Sequence, residues 1–260
     1  MKSKMYFKVL GTNNEKTVLL IHGWSHSSCV WDKIVKDLSK KYQIIVIDLL
    51  GHGKSDAPKT KQKLLDLLTK TLFELIKEQK WNIYGIISHS MGGLITLKLL
   101  KEYNLELEKL MIIGTPYCGL PKWISVIGKM DKLVGNALAN RKYLSPKLSR
   151  WASKWGSKIT VKDLSKIHEN LYQAIESANP QYMAKLFREL IENCFILDKP
   201  LNVKSVIIAR GEYDKLTSRE SMIKLARFLN GEYYQFKNVS HTIPIEAPRK
   251  LKELIFKLLD

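Results

Sequence analysis

The hexapeptide Ser88-His89-Ser90-Met91-Gly92-Gly93 sets one serine between small residues. An apolar run, Tyr84 to Ile87, precedes it, and a helically patterned run through Leu97, Leu99 and Leu100 follows. Strand, sharp turn and helix with a serine at the apex make a nucleophile elbow. Such a turn is strained, and the positions two before and two after the serine must be small to avoid colliding across it. Ser88 and Gly92 meet that need, Ser88 as a small turn residue where glycine is usual, and Gly93 lets the helix start lie close to the sheet. The Ser90 hydroxyl then projects above the strand end, and the positive end of the helix faces the negative charge that develops in acyl transfer.

A serine hydroxyl is a poor nucleophile at neutral pH and needs a base to take its proton. Two later strand ends carry suitable residues. Val203 to Ala209 runs into Arg210-Gly-Glu-Tyr-Asp214, and Glu232 to Phe236 runs into Asn238-Val-Ser-His241-Thr-Ile-Pro. Serine, then acid, then histidine is one of the chain orders in which a Ser-His-acid triad occurs. Ser90, Asp214 and His241 are the catalytic candidates, with Glu212 the competing acid. Asp48 also ends a strand, but it precedes the serine and reads as a loop organiser.

The elements that must position these residues alternate. Met5–Leu10 reads as an edge strand, Lys16–Ile21 and Tyr42–Asp48 as buried strands, and Leu107–Gly114 as the strand after the elbow helix. Helical spacing covers Trp31–Ser39, where Trp31, Ile34, Val35 and Leu38 are apolar, and 61–80, where Leu64, Leu68, Leu72 and Leu75 recur. The expected fold class is therefore α/β, with a mostly parallel, doubly covered sheet. From Pro116 to about Pro200 only helical patterns occur, the last of them Tyr182, Leu186, Leu190 and Cys194 after Asn179-Pro180. Residues 1–116 and 201–260 are read as the core, and 117–200 as a helical insertion placed to act as a lid over the strand ends, excluding water from the site.

Five motifs in order, His22-Gly-Trp24, Asp48-Leu-Leu-Gly-His-Gly-Lys-Ser-Asp56, Ser88-His-Ser-Met-Gly-Gly93, Gly211-Glu-Tyr-Asp214 and Ser240-His-Thr-Ile-Pro244, together resemble α/β-hydrolase fold proteins over all of the chain except the insertion. The resemblance implies a carboxylic ester hydrolase of the serine type. His241 would be the base, Asp214 would fix its tautomer, and the backbone N–H groups of Trp24 and Met91 would form the oxyanion hole. His22 would hold its own turn, while His52, His89 and His168 sit in loop, elbow and insertion helix. Serine at the nucleophile position disfavours the carboxylate-nucleophile branches, the haloalkane dehalogenases and epoxide hydrolases. The His-Gly-Trp opening, the single helical insertion and Thr115-Pro-Tyr-Cys118 are also similar to esterases that act on pimeloyl-acyl-carrier-protein methyl esters.

Charge bears on partners. The chain of 260 residues has 43 Lys and Arg against 25 Asp and Glu. Much of this is a solvated lysine-rich surface, but Tyr117–Thr160 holds nine basic residues and one acid, with Trp123, Tyr143, Trp151 and Trp155 interleaved. Lys122, Arg141, Lys142, Lys147, Arg150 and Lys154 could dock an acidic acyl carrier protein, because a field of one sign raises the encounter rate with acidic partners. A competing expectation is a small-ester carboxylesterase or lipase whose lid rests on anionic membrane; a C–C bond hydrolase or lactonase of the same fold, or a binding protein on this scaffold, are others. Nucleic acid is not expected, since no recognition signature accompanies the charge. Three scattered cysteines and no apolar leader point to a reducing, cytoplasmic setting. No Cys/His cluster has ligand spacing, so neither a metal nor a cofactor is expected.

Overall fold

The computed structural model describes residues 3–117, 119–121, 161, 179–192 and 197–260. Seven strands, β1 (Tyr6–Leu10), β2 (Thr17–Ile21), β3 (Gln43–Asp48), β4 (Ile83–His89), β5 (Leu107–Ile113), β6 (Val203–Gly211) and β7 (Glu232–Phe236), form one sheet in the order β1-β3-β2-β4-β5-β6-β7. The edge strand β1 runs antiparallel to β3, and every other pairing is parallel.

Alternate side chains of a strand face opposite ways, so a strand covered on both faces is apolar at every position. All five residues of β2 are buried. Leu19, Ile45, Ile86, Leu110 and Ile208 enter one core, with Leu68 and Leu72 of α2 (Leu64–Glu78), Leu94 and Leu97 of α3 (Met91–Tyr103) and Met222 of α5 (Arg219–Phe228). Leu20, Ile44, Ile87, Met111 and Ile207 enter the other, with Ile34 of α1 (Asp32–Leu38), Ile243 of α6 (Ile243–Glu246) and Ile255 of α7 (Pro248–Leu259). Since β2 and β4 to β7 are parallel, the loops after them open on one edge, which is where such sheets place their sites. His22, Ser90, Asp214 and His241 all follow these carboxyl ends.

Within the expected insertion, α4 (Pro180–Glu192) is described. Tyr182, Met183, Leu186 and Leu190, one stripe of that helix, are buried in the same core as α2. The other helical patterns, His168 and the six basic residues from Lys122 to Lys154 lie outside the described residues. Helix α2 begins after Lys63, which offers no side-chain cap. The missing acceptors come from α4, where the Glu189 carboxylate takes the N–H groups of Leu64 (2.8 Å) and Leu65 (3.0 Å). A carboxylate there satisfies two orphan donors and faces the positive helix end. Glu189→Ala is expected to lower stability by about 1–2 kcal/mol, seen as a lower urea midpoint with an unchanged slope.

Candidate active site

Ser90 has φ 54° and ψ −120°, backbone that a side chain adopts only when its surroundings enforce it. The enforcement is visible. Ser90 N–H donates to the Ile113 carbonyl (2.8 Å), and the Ser90 carbonyl accepts from Gly93 N–H (2.9 Å) and the Thr115 hydroxyl (3.0 Å). Two glycines let the loop after β2 pass against this turn. A Cβ on Gly23 would lie 2.9 Å from Ser90 Cβ, and one on Gly92 would lie 2.6 Å from the His22 carbonyl. Ser88 is fully buried in β4 and serves as the small residue the turn requires.

His241 is buried on the loop after β7. Its Nε2 lies 2.9 Å from Ser90 Oγ and its Nδ1 lies 2.9 Å from Asp214 Oδ2. A carboxylate can only accept, so Nδ1 carries the proton and Nε2 presents its lone pair to the hydroxyl. Asp214 is held to that task by Leu216 N–H (2.8 Å) and Thr217 N–H (3.2 Å) on Oδ1 and by the Thr217 hydroxyl (2.6 Å) on Oδ2. Burial pushes its pKa up, but His241, Thr217 and Leu216 outweigh that and leave it below the ordinary value. Arg210, also buried, ties the loop from the other side, donating to the carbonyls of Thr217 (2.9 Å), Glu212 (3.3 Å) and Asp214 (2.7 Å). Glu212 is exposed and accepts instead from Asn238 N–H (2.7 Å), so the two acids near β6 have separate places. Arg210, Thr217 and Thr115 were not legible as site residues, since each acts through a backbone carbonyl or a carboxylate that tertiary structure delivers.

His22 and His52 have structural partners. His22 donates from Nδ1 to the Gly23 carbonyl (2.7 Å) and accepts Leu49 N–H at Nε2 (3.0 Å). Burial, then neighbouring His52, keep its pKa well below the ordinary value. Asp48 organises its loop by accepting Ser28 N–H (2.7 Å) and Lys54 N–H (2.9 Å). His52 reaches the Leu50 carbonyl (3.0 Å), and burial lowers its pKa to about 4. His26 is lowered to about 4 as well, by burial and then by His241.

Met91, the first residue of α3, follows Ser90 directly and is buried. Trp24 follows Gly23, the glycine that packs on Ser90. Its indole donates to the Met183 carbonyl of α4 (3.2 Å), and its ring lies 5.0 Å from that of Phe187. Among the described residues no group of three or more His, Cys, Asp or Glu could hold a metal ion, and no helix is long and apolar enough to cross a membrane. A buried base touching a serine hydroxyl and backed by an ionised acid can perform nucleophilic acyl transfer.

Comparison with known proteins agrees at the level of the fold. Residues 16–248 match the family model described as alpha/beta hydrolase fold. A pimeloyl-[acyl-carrier protein] methyl ester esterase of Nitrosomonas europaea is 28% identical over 107 residues, 41% of this chain and 40% of that protein. An epoxide hydrolase 4 of Mus musculus is 24% identical over 115 residues, 44% of this chain and 32% of that protein. The matched segment thus spans two fifths or less of these curated relatives. A thermophilic esterase from Thermogutta terrifontis superposes with a TM-score of 0.82 at 19% identity, covering 99% of this chain and 93% of the other. An enol-lactonase from Burkholderia xenovorans does so with 0.73 at 16% identity, covering 99% and 96%.

Proposed function

We propose, from the premise that this chain belongs to the alpha/beta hydrolase fold family, that it is a serine hydrolase cleaving a carboxylic ester through an acyl-enzyme. The observation that carries the reading is the continuous hydrogen-bonded line Asp214–His241–Ser90, 2.9 Å at each step to the imidazole. Ser90 Oγ attacks the ester carbonyl as His241 Nε2 takes its proton. The same proton then goes to the departing alkoxide, and Asp214 stabilises the imidazolium in between. The Trp24 and Met91 N–H groups hold the oxyanion, each worth about 3 kcal/mol of transition-state stabilisation. Water, deprotonated by His241, releases the acid and restores Ser90. A fluorophosphonate is expected to label the native chain and not Ser90→Ala. Labelling that survives the substitution would overturn the assignment of the nucleophile.

For the substrate we propose the methyl ester of an acyl chain borne on an acyl carrier protein, in the cytoplasm. The Nitrosomonas relative and the run of basic residues between Tyr117 and Thr160 support this. Reversing charge at Arg141, Lys142 and Arg150 is then expected to lower kcat/KM on a carrier-linked ester about tenfold or more, the scale of electrostatic steering. Unchanged turnover would remove the carrier from the reading. Sedimentation of the native chain with anionic vesicles would favour the membrane-contacting carboxylesterase instead.

A further inference from the structure

The strand that carries Ser90 ends on His89, and strand alternation puts His89 on the face of Ile87, whose core also takes Val239 and Ile243 on either side of His241. The elbow histidine is thereby aimed at the loop of the base. His89 Nε2 lies 3.0 Å from the backbone carbonyl of His241, and the two rings are 4.9 Å apart. A carbonyl only accepts, so His89 is the Nε2–H tautomer while neutral. Its Nδ1 has no partner among the described residues, and its outer side meets the ring of His26 at 5.9 Å. His89 is fully buried, and burial, then His241 and His26, keep its pKa well below the ordinary value. Asp214 is the charged neighbour that opposes them.

Resting on the serine hydrolase reading, we infer that His89 is a positioning residue: a neutral donor that ties the main chain of the base to the strand of the nucleophile, fixing the separation of His241 Nε2 and Ser90 Oγ. Neutrality suits that place, because a second cation beside His241 would oppose the imidazolium formed on attack. The elbow position thus supplies a link between a strand end and a loop whose residues are 152 apart in the chain.

Nitrogen-15 NMR of the native chain tests this first, since it needs no variant to fold. His89 is expected as the Nε2–H tautomer from pH 6 to 8, and an Nδ1–H or protonated ring would overturn the inference. His89→Leu removes the donor at similar volume, and His89→Gln carries an amide that can still reach the carbonyl. Leucine is expected to lower kcat roughly 10- to 100-fold, the cost of a small misplacement of reacting groups. KM should stay near the native value, the downfield proton of the His241–Asp214 bond should weaken, and glutamine should restore both. A leucine variant with native kcat and an unshifted resonance would overturn the inference and leave the hydrolase reading intact. A native chain that hydrolyses no ester while His89 holds that tautomer and the resonance responds to leucine would overturn the reading and leave the positioning link.

Discussion

His241→Ala is expected to lower kcat on a p-nitrophenyl ester by about 10⁶-fold, Ser90→Ala by a similar factor, and the double variant by no more than either alone. The reason lies in the single hydrogen bond between them, 2.9 Å from His241 Nε2 to Ser90 Oγ. Once the base is gone the serine is an ordinary alcohol, and once the serine is gone the base has no proton to take, so the second removal costs nothing further. What survives in each variant is binding plus the oxyanion hole proposed for the Trp24 and Met91 N–H groups, which owes nothing to either side chain. Single-turnover rates of the two single variants and the double variant make the measurement. Losses that multiplied in the double variant would mean that the two residues act separately, and the relay would fall.

The melting temperature is expected to drop steeply as pH falls from about 6.5 to about 4, through histidines that take no part in the chemistry. His26 and His52 titrate near pH 4 in the folded chain, chiefly because burial penalises their charge, against an ordinary value of 6.5. Between those values the unfolded chain holds protons that the folded chain does not, so falling pH favours unfolding; above 6.5 neither state is protonated there and their contribution is fully present. Each shift amounts to about 3 kcal/mol lost by pH 4. His22 and His89, which burial also holds well below the ordinary value, act with the same sign. Asp214, lowered from the carboxylate range, adds its own loss once pH falls below that range. At about 2–4 °C per kcal/mol for a domain of this size, His26 and His52 alone lower the melting temperature by more than about 10 °C. Calorimetry between pH 7.5 and 4.5 reads this directly, and a flat profile would mean that these rings are charged or solvated in the native state.

What could be read from the residues alone follows from how locally each feature is determined. The β2 and β3 runs, the helix after Ser90 and the strand Glu232–Phe236 show themselves by period and composition, and the elbow by steric demands within five residues. The helical spacing Trp31–Ser39 brackets α1, whose entry is the 3-10 turn Ser28–Trp31, wound more tightly than the helix it leads into. Asp214 is the acid the residues favour over Glu212, but spacing carries no sign of what separates two acids two positions apart. Arg210 and Thr217 make the difference by turning one carboxylate inward. Glu189 capping a helix that starts 125 residues earlier, and His89 reaching the His241 carbonyl, had no signal in spacing at all. Both depend on which segments the finished sheet brings side by side.

Trp24 is attached at two places: its main chain follows the glycine that packs on Ser90, and its indole is bonded to the main chain of α4. That double attachment couples α4 to the elbow for evolution as well as in space. A substitution in α4 that displaces the Met183 carbonyl is felt at Trp24, next to the glycine that packs on Ser90. An exchange of segments between relatives would therefore have to carry α4 together with the loop after β2, and the helix would be inherited with the sheet.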